Sequence, residues 1–497
     1  MSKNLQTKSV SVLPDRAGNV FKPQDVVTFH ISPNSVPVIN PRETFLRFYC
    51  EITGNALAQL DERAAGSAVI ETLQVYTKDM TLLEEINDYS QYLATHHHYH
   101  KTLGISNKRQ LVEGQSPNDS LNSVYFNMPS SASQLGSPLY RRVEICVPLY
   151  LSGVFYGSSF PSVATSGLIV KIYLSQAAKA IFAYSQTGYV DSPLQRFLND
   201  SAIAAGAQTT IDLSGSTAAT ELDANFATFP LQEGQKVYYK DTTGTTQSAG
   251  DIIDIQEVGG KIQLIFDSFT VPAGGIAVGA AVWGEITSLS ASYQLTNNVE
   301  LICGVIDPPK EYYSALQRKL NSDEGMELSI KSFNLYRNNV DSGQTATQVL
   351  IPTREARALS MVNTFVNPNY TLHTSSFKPE LDTIQNYQYV LKDRNTPNRK
   401  VDVSRFNTAN SWNATAIAEL TKALDSAKVP VMSEDKNSSS FSIGRRLATD
   451  GYSCNIREHD VRLNLEFSNP TKNKIMNSNG YHIRRLNIRP NNVTVEF

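Results

Sequence analysis

Four of the chain's eight histidines, His96, His97, His98 and His100, fall within five residues. On a helix, His96 and His100 lie one turn apart and could share a metal ion, with Asp88 two turns upstream. No cysteine stands nearby to complete a ligand set. The same run also reads as the polar end of a helix, where protonated imidazoles interact well with the C-terminal dipole. A third reading is a pH-sensitive subunit contact, since imidazole titrates near neutral pH. The cluster is a weak metal candidate only; no metal site, catalytic residue or cofactor is assigned.

Glu84, Glu85 and Asp88 could serve as a carboxylate pair for acid–base work, but no partner base accompanies them. Thr81 and Glu84 form a T-x-x-E capping box, and the first turn of a helix accounts for both glutamates. Two basic pairs stand late in the chain, Arg445–Arg446 and Arg484–Arg485. Residues 441–497 carry nine Lys/Arg against five Asp/Glu, a mild excess. Salt-bridged faces, a subunit contact or a nucleic-acid contact each suit arginines on a strand. Cys50, Cys146, Cys303 and Cys454 are widely spaced and read as reduced thiols. There is no phosphate-binding G-x-x-x-x-G-K-[ST], no G-x-G-x-x-G, no G-x-S-x-G and no H-E-x-x-H. No enzyme is expected.

The elements that would carry these residues are mostly strands. The 497 residues suggest about three domains. Charged residues make up 18% and the net charge is −3, which argues against a surface devoted to nucleic acid. Tyr and Phe number 23 and 20, against two Trp, a composition suited to pleated surfaces. No apolar run is long enough for a membrane helix, and no secretory signal is visible at 1–14.

Residues 1–24 read as an irregular arm. Strands are expected at Val26–Ile31, Phe45–Ile52 and Val69–Tyr76. A helix is expected from Thr81 through Leu82, Ile86, Tyr89 and Leu93, and a short strand near Val124–Phe126. Val143–Leu149 and Leu168–Leu174 alternate with period 2. Residues 206–286 are rich in Gly, Ala and Thr, lack Arg, and contain a hairpin across Gly259–Gly260; they read as a small all-β insertion. Strands resume at Ser290–Ile306, Pro308–Pro309 stops them, and a helix follows at Glu311–Leu320. The second half restarts at Met326, Leu328 and Ile330. A phase change at Phe333 and Leu335 suggests a bulge. Val349–Ile351, Ala358–Val366 and Tyr387–Leu391 continue as strands, with Ala358–Val366 also open to a helix. A helix at Thr415–Leu424 precedes strands at Phe441–Ile443, Val461–Phe467 and Ile483–Phe497. Strand runs without a βαβ rhythm point to antiparallel sandwiches, and eight strands in two sheets make a jelly roll.

An ordered set of segments then resembles a known family. Asn40-Pro-Arg-Glu-Thr-Phe-Leu-Arg-Phe and Val75-Tyr-Thr-Lys-Asp-Met-Thr-Leu-Leu-Glu-Glu-Ile-Asn-Asp-Tyr carry the first part. Tyr293–Leu301 with Pro308–Pro309, and Leu350–Thr353 with Arg354 and Arg357, carry the rest. They are similar to double jelly-roll major capsid proteins of the virophage, polinton-like virus and adintovirus type, within the adenovirus-like lineage. The likeness spans nearly the whole chain outside 206–286. The chain lacks the usual C-terminal ending of giant-virus capsid proteins and is far shorter than adenovirus hexon.

The resemblance implies an all-β fold of two antiparallel eight-stranded jelly rolls with short helices. The implied division is an arm at 1–24, a first roll at 25–307, an inserted β domain at 206–286 forming an outward tower, a junction helix at 308–324 and a second roll at 325–497. It implies a structural virion protein whose homotrimers look hexagonal and tile an icosahedral shell around a DNA genome. Its partners would be further copies of itself and penton and minor capsid proteins. An internal membrane is left open, and no sequence-specific nucleic acid is expected. Synthesis would be in the host cytoplasm or nucleus, without secretion. The alternative is a β-rich viral attachment or carbohydrate-binding protein, which would need an aromatic platform that two tryptophans scarcely supply.

Overall fold

Period-2 alternation carries most of the architecture. Along residues 168–174, Leu168, Val170, Ile172 and Leu174 are buried while the residues between them are half-buried. The computed structural model describes residues 7–16, 20–54, 58–61, 63–98, 112–113, 142–183, 197–214, 236–258, 261–284, 291–366, 377, 384–403, 414–426, 442–448, 453–467, 473–490 and 492–496.

The chain opens with β1 (Thr7–Val12), β2 (Val26–Ile31), β3 (Val38–Gly54), β4 (Ala58–Leu60), β5 (Ile70–Thr77) and β6 (Leu82–Asn87). Helix α1 (Tyr89–His98), β7 (Arg142–Val147), β8 (Leu168–Leu174), the single turn α2 (Ala177–Ala180) and β9 (Ile181–Ala183) follow. Next come β10 (Phe197–Asn199), β11 (Gly206–Ser214), β12 (Lys236–Lys240), β13 (Thr246–Val258), β14 (Lys261–Val271) and β15 (Ala281–Gly284). β16 (Ala291–Ile306) and helix α3 (Lys310–Leu320) lead to β17 (Met326–Val340), β18 (Ala346–Ile351), β19 (Ala358–Val366), β20 (Ile384–Leu391) and β21 (Arg394–Asp402). Helix α4 (Ala414–Ser426), β22 (Ser442–Arg446), β23 (Val461–Phe467), β24 (Lys474–Arg489) and β25 (Asn492–Glu496) complete the chain.

Four sheets of four strands form two sandwiches. The first pairs β1-β16-β3-β7 with β2-β8-β5-β6; the second pairs β17-β24-β19-β22 with β18-β23-β20-β21. Setting aside the β4-β9 ribbon and β25, each sandwich has eight strands. Numbered within its own sandwich, each shows the order 1-8-3-6 in one sheet and 2-7-4-5 in the other. That is the jelly roll, made twice in one chain. Each roll also carries a helix between its fifth and sixth strands, α1 in the first and α4 in the second. Between the seventh and eighth strands of the first roll sits a closed barrel, β10-β11-β14-β13-β12-β15, with its own core of Ile211, Leu213, Val237, Tyr239, Leu264 and Val282. β25 hairpins onto β24, docking the terminal Val493–Val495 alternation.

Several expectations are corrected. Residues 82–87 are a strand, not a helix: Leu73 pairs with Ile86, and Gln74 Nε2 donates to Glu85 Oε1 at 2.7 Å. The capping-box reading fails because Thr81 instead closes the β5–β6 turn, its N–H donating to Thr77 Oγ1 at 3.1 Å. Residues 7–12, expected within an irregular arm, add β1 to the edge of a sheet by pairing with β16. The bulge expected in β17 is absent, since β17 and β24 pair in one unbroken register. Ile330, Ser332 and Phe333 are all buried because the strand is covered on both faces there. β21 was not expected at all; only Val401 in it is buried. The strand expected near Val124–Phe126 lies outside the described residues.

Candidate functional site

β6 is an edge strand of the first roll and β17 an edge strand of the second. The two edges meet, and the charged residues singled out at 84–88 sit at that seam. Asp88 follows β6 with a left-handed φ of 52°, a conformation that a short polar residue tolerates. This turn separates the strand from α1 and leaves the Asp88 carboxylate pointing into the join, 3% exposed.

Three donors from both rolls converge on it. Lys179 Nζ of α2 contacts Oδ1. Arg337 of β17 donates to Oδ2 at 2.6 Å, and Asn477 Nδ2 of β24 lies 3.4 Å from the same oxygen. Lys179 also binds Glu71 at 2.6 Å. Burial alone would push the Asp88 carboxyl up, but Lys179 and Arg337 outweigh it and hold the group below the ordinary carboxylate range.

A second buried group lies at the other end of β6. Glu84 accepts from Ser152 Oγ at 2.7 Å and from the Gly153 N–H at 2.8 Å. Burial pushes its carboxyl up. Arg484 of β24 reaches across to the Leu83 carbonyl at 3.1 Å and also donates to Asn334 Oδ1 at 2.9 Å and to His482 Nε2 at 3.0 Å. Arginine cannot accept, so His482 is neutral with its proton on Nδ1, facing the Gly480 carbonyl at 3.3 Å. Burial lowers the His482 imidazole to about 4. Apolar packing spans the same seam: Tyr92 of α1 lies 4.8 Å from the Phe333 ring, which stacks on Tyr481 at 4.8 Å. Gly153 lies so close to β17 that a Cβ there would sit 2.3 Å from the Lys331 carbonyl oxygen.

One end of the seam opens as a cleft of about 720 Å3 whose walls include Glu71, Gln91, Tyr173, Lys179, Arg337 and Asn477. Asp88 is engaged by cations, and Glu84 by neutral donors. The arrangement therefore holds two sandwiches together rather than moving protons.

The other sequence candidates fall elsewhere. His96, His97 and His98 occupy the last turn of α1, but their side chains, and His100 altogether, lie outside the described residues. Arg445 pairs with Glu419 of α4, and Arg485 with Glu327 at 2.7 Å; Arg484 is the buried seam residue. These contacts favour the salt-bridged reading for Arg445 and Arg485. Cys50 and Cys303 are free and buried, and burial pushes both thiols up to about 12. Trp283 is 5% exposed and stacks on Tyr238 within the barrel, so it offers no sugar platform; Trp412 lies outside the described residues. Sequence reasoning missed Lys179, Arg337 and Asn477, which sit in unrelated segments. The one hint was a polar His482–Arg484–Arg485 run inside an apolar strand.

No protein-family model matches the chain, and no curated protein matches it in sequence. Among solved structures, the chain is similar to the protein of the PBCV-1 virus capsid, at 10% identity over 100% of this chain and 98% of that one, with a TM-score of 0.51. It is also similar to the Faustovirus major capsid protein, at 10% identity over 97% of this chain and 90% of that one, with a TM-score of 0.53. At such identity the likeness is one of fold, and it covers both rolls.

Proposed function

We propose that this chain is a viral major capsid protein whose homotrimers form pseudo-hexameric capsomers that tile an icosahedral shell around a DNA genome. The observation that carries the reading is the repeated 1-8-3-6 and 2-7-4-5 strand order, fused into one body by the Asp88 and Arg484 seam. Three such chains present six similar sandwiches around a ring, so one kind of contact closes the ring and tiles a surface. The similarity to two capsid proteins along nearly the full chain supports it.

In this reading the protein resides in the virion after synthesis in the host cytoplasm or nucleus. Its main partner is itself, with penton and minor capsid proteins at the vertices. With β1 added to its edge, the first roll runs over 7–307 and the second over 325–497, joined through 308–324, and the barrel at 197–284 projects outward as a tower. Size-exclusion chromatography with light scattering tests the trimer, expected at about 165 kDa for three chains of 54.9 kDa. Electron micrographs of the same sample should show hexagonal particles. A clean monomer at high concentration would count against the proposal.

A further inference from the structure

The two rolls share one topology but not one environment. In the first roll, the fifth strand β6 and the helix α1 after it are sealed against the second roll: Leu83, Glu84 and Ile86 are buried, as is every α1 residue from Tyr89 to Thr95. Their equivalents in the second roll are β21 and α4. On β21, Arg394, Asn395, Asn398, Arg399, Lys400 and Asp402 are exposed. On α4, Leu420, Ala423 and Leu424 face the core, whereas Thr415, Ile417 and Ala418 are exposed.

The first-strand edges differ in the same way. β17, first strand of the second roll, receives β6. Its counterpart β1 is a sheet edge with Lys8, Ser9 and Ser11 exposed and Leu13 beyond it 64% exposed. The outward face of β1's sheet carries Phe45, Tyr49 and Ile302, all half-buried. Around them stand Glu51, Glu144 and Glu300, with Arg47 shared between Glu144 and Glu300. Among the described side chains, three carboxylates stand there against one guanidinium, and the exposed residues of β21 carry Arg394, Arg399 and Lys400 against Asp402.

We infer that β21 and α4 of one chain dock on β1 and the outward face of β16 and β3 of a second copy, repeating between chains the β6–β17 junction made within each chain. The inference rests on the trimer reading above and names its surfaces. Ile417 supplies the apolar contact toward Phe45 and Ile302, and Arg394 and Arg399 meet the surplus carboxylates. The contact is heterologous, so a pair leaves one surface of each kind free, and in the trimer reading the third chain covers both. The β1 and β21 edges, unpaired among the described residues and so open to unwanted pairing, are covered by that closure.

The full chain carrying Arg394→Glu, Arg399→Glu and Ile417→Asp tests this by light scattering. The expected result is a fall from about 165 kDa to the 54.9 kDa monomer with an unchanged far-ultraviolet circular dichroism spectrum. A folded variant that stays trimeric overturns the surface assignment and leaves the trimer standing. A wild-type chain that is itself monomeric, or dimeric, overturns the trimer reading and the inference with it. If the variant misfolds, lysine cross-linking of the wild-type protein decides. Lys8–Lys400 and Lys8–Lys422 links confined to the trimer support the assignment, and a trimer without either overturns it.

Discussion

Asp88 and Arg337 are 249 residues apart in sequence and 2.6 Å apart in space. One follows the edge strand of the first jelly roll; the other lies on the edge strand of the second. With Lys179 and Asn477 they tie the two sandwiches together beside a shared apolar core in which Tyr92 meets Phe333. In the proposed capsomer a rigid join keeps the hexagonal outline, which a hinge between the rolls would blur.

Replacing Asp88 with Ala leaves Lys179 buried beside Glu71 without the carboxylate that it contacts at the seam. Breaking a buried pair in this way costs about 3–5 kcal/mol, with the lower end expected because Arg337 is half exposed. Urea denaturation should show the loss. Limited proteolysis should also cut more readily near α3, where the rolls are joined.

The same carboxylate sets an acid limit. Its folded pKa is depressed, so the unfolded chain takes up the proton first as the pH falls. The stabilisation is therefore present above the unfolded value of about 3.9 and is lost as the pH drops through the folded one. The melting temperature should fall as the pH drops below about 4, and that fall should be shallower in an Asp88→Asn chain.

His482 acts over a different window. Burial lowers it to about 4, against about 6.5 when unfolded. Between those values only the unfolded chain is protonated, so stability falls as the pH falls from 6.5 toward 4. The loss is on the order of 3 kcal/mol for this single group. His482→Gln should remove most of that slope, read by denaturant titration at several pH values.

Gly153→Ala places a methyl 2.3 Å from the Lys331 carbonyl oxygen. The obstacle is the backbone of β17, held in register along its length by β24, so it cannot swing aside. Overpacking of this kind costs about 1–3 kcal/mol. The expected outcome is a lower melting temperature with an unchanged barrel, visible as a separate calorimetric transition.

The barrel should be dispensable to the rolls. Phe197 and Val282 are paired at its base, so the chain enters and leaves side by side. Replacing 197–284 with a short Gly-Ser linker is expected to leave the proposed trimer assembled, at a mass lower by the excised residues. A loss of assembly would show that the barrel takes part in subunit contacts.

Much of this was legible in the sequence. Strands such as Val461–Phe467 and Leu168–Leu174 declare themselves because each buries one face, and a period of two records that fact locally. The hairpin across 258–261, the junction helix after Pro309 and α4 were readable for similar reasons: their signals lie within a few residues. From those alone the sequence determined an all-β chain of two strand-rich halves with a β insertion. The tertiary structure decided the rest. Leu82–Asn87 has a spacing that suits a helix, and only pairing with β5 makes it a strand. β21 is polar because it is an edge, and an edge leaves no apolar alternation to read. Above all, the seam draws Asp88, Lys179, Arg337 and Asn477 from four separate elements. Each alone looks like an ordinary surface charge or amide, and burial against the others is what gives it a role.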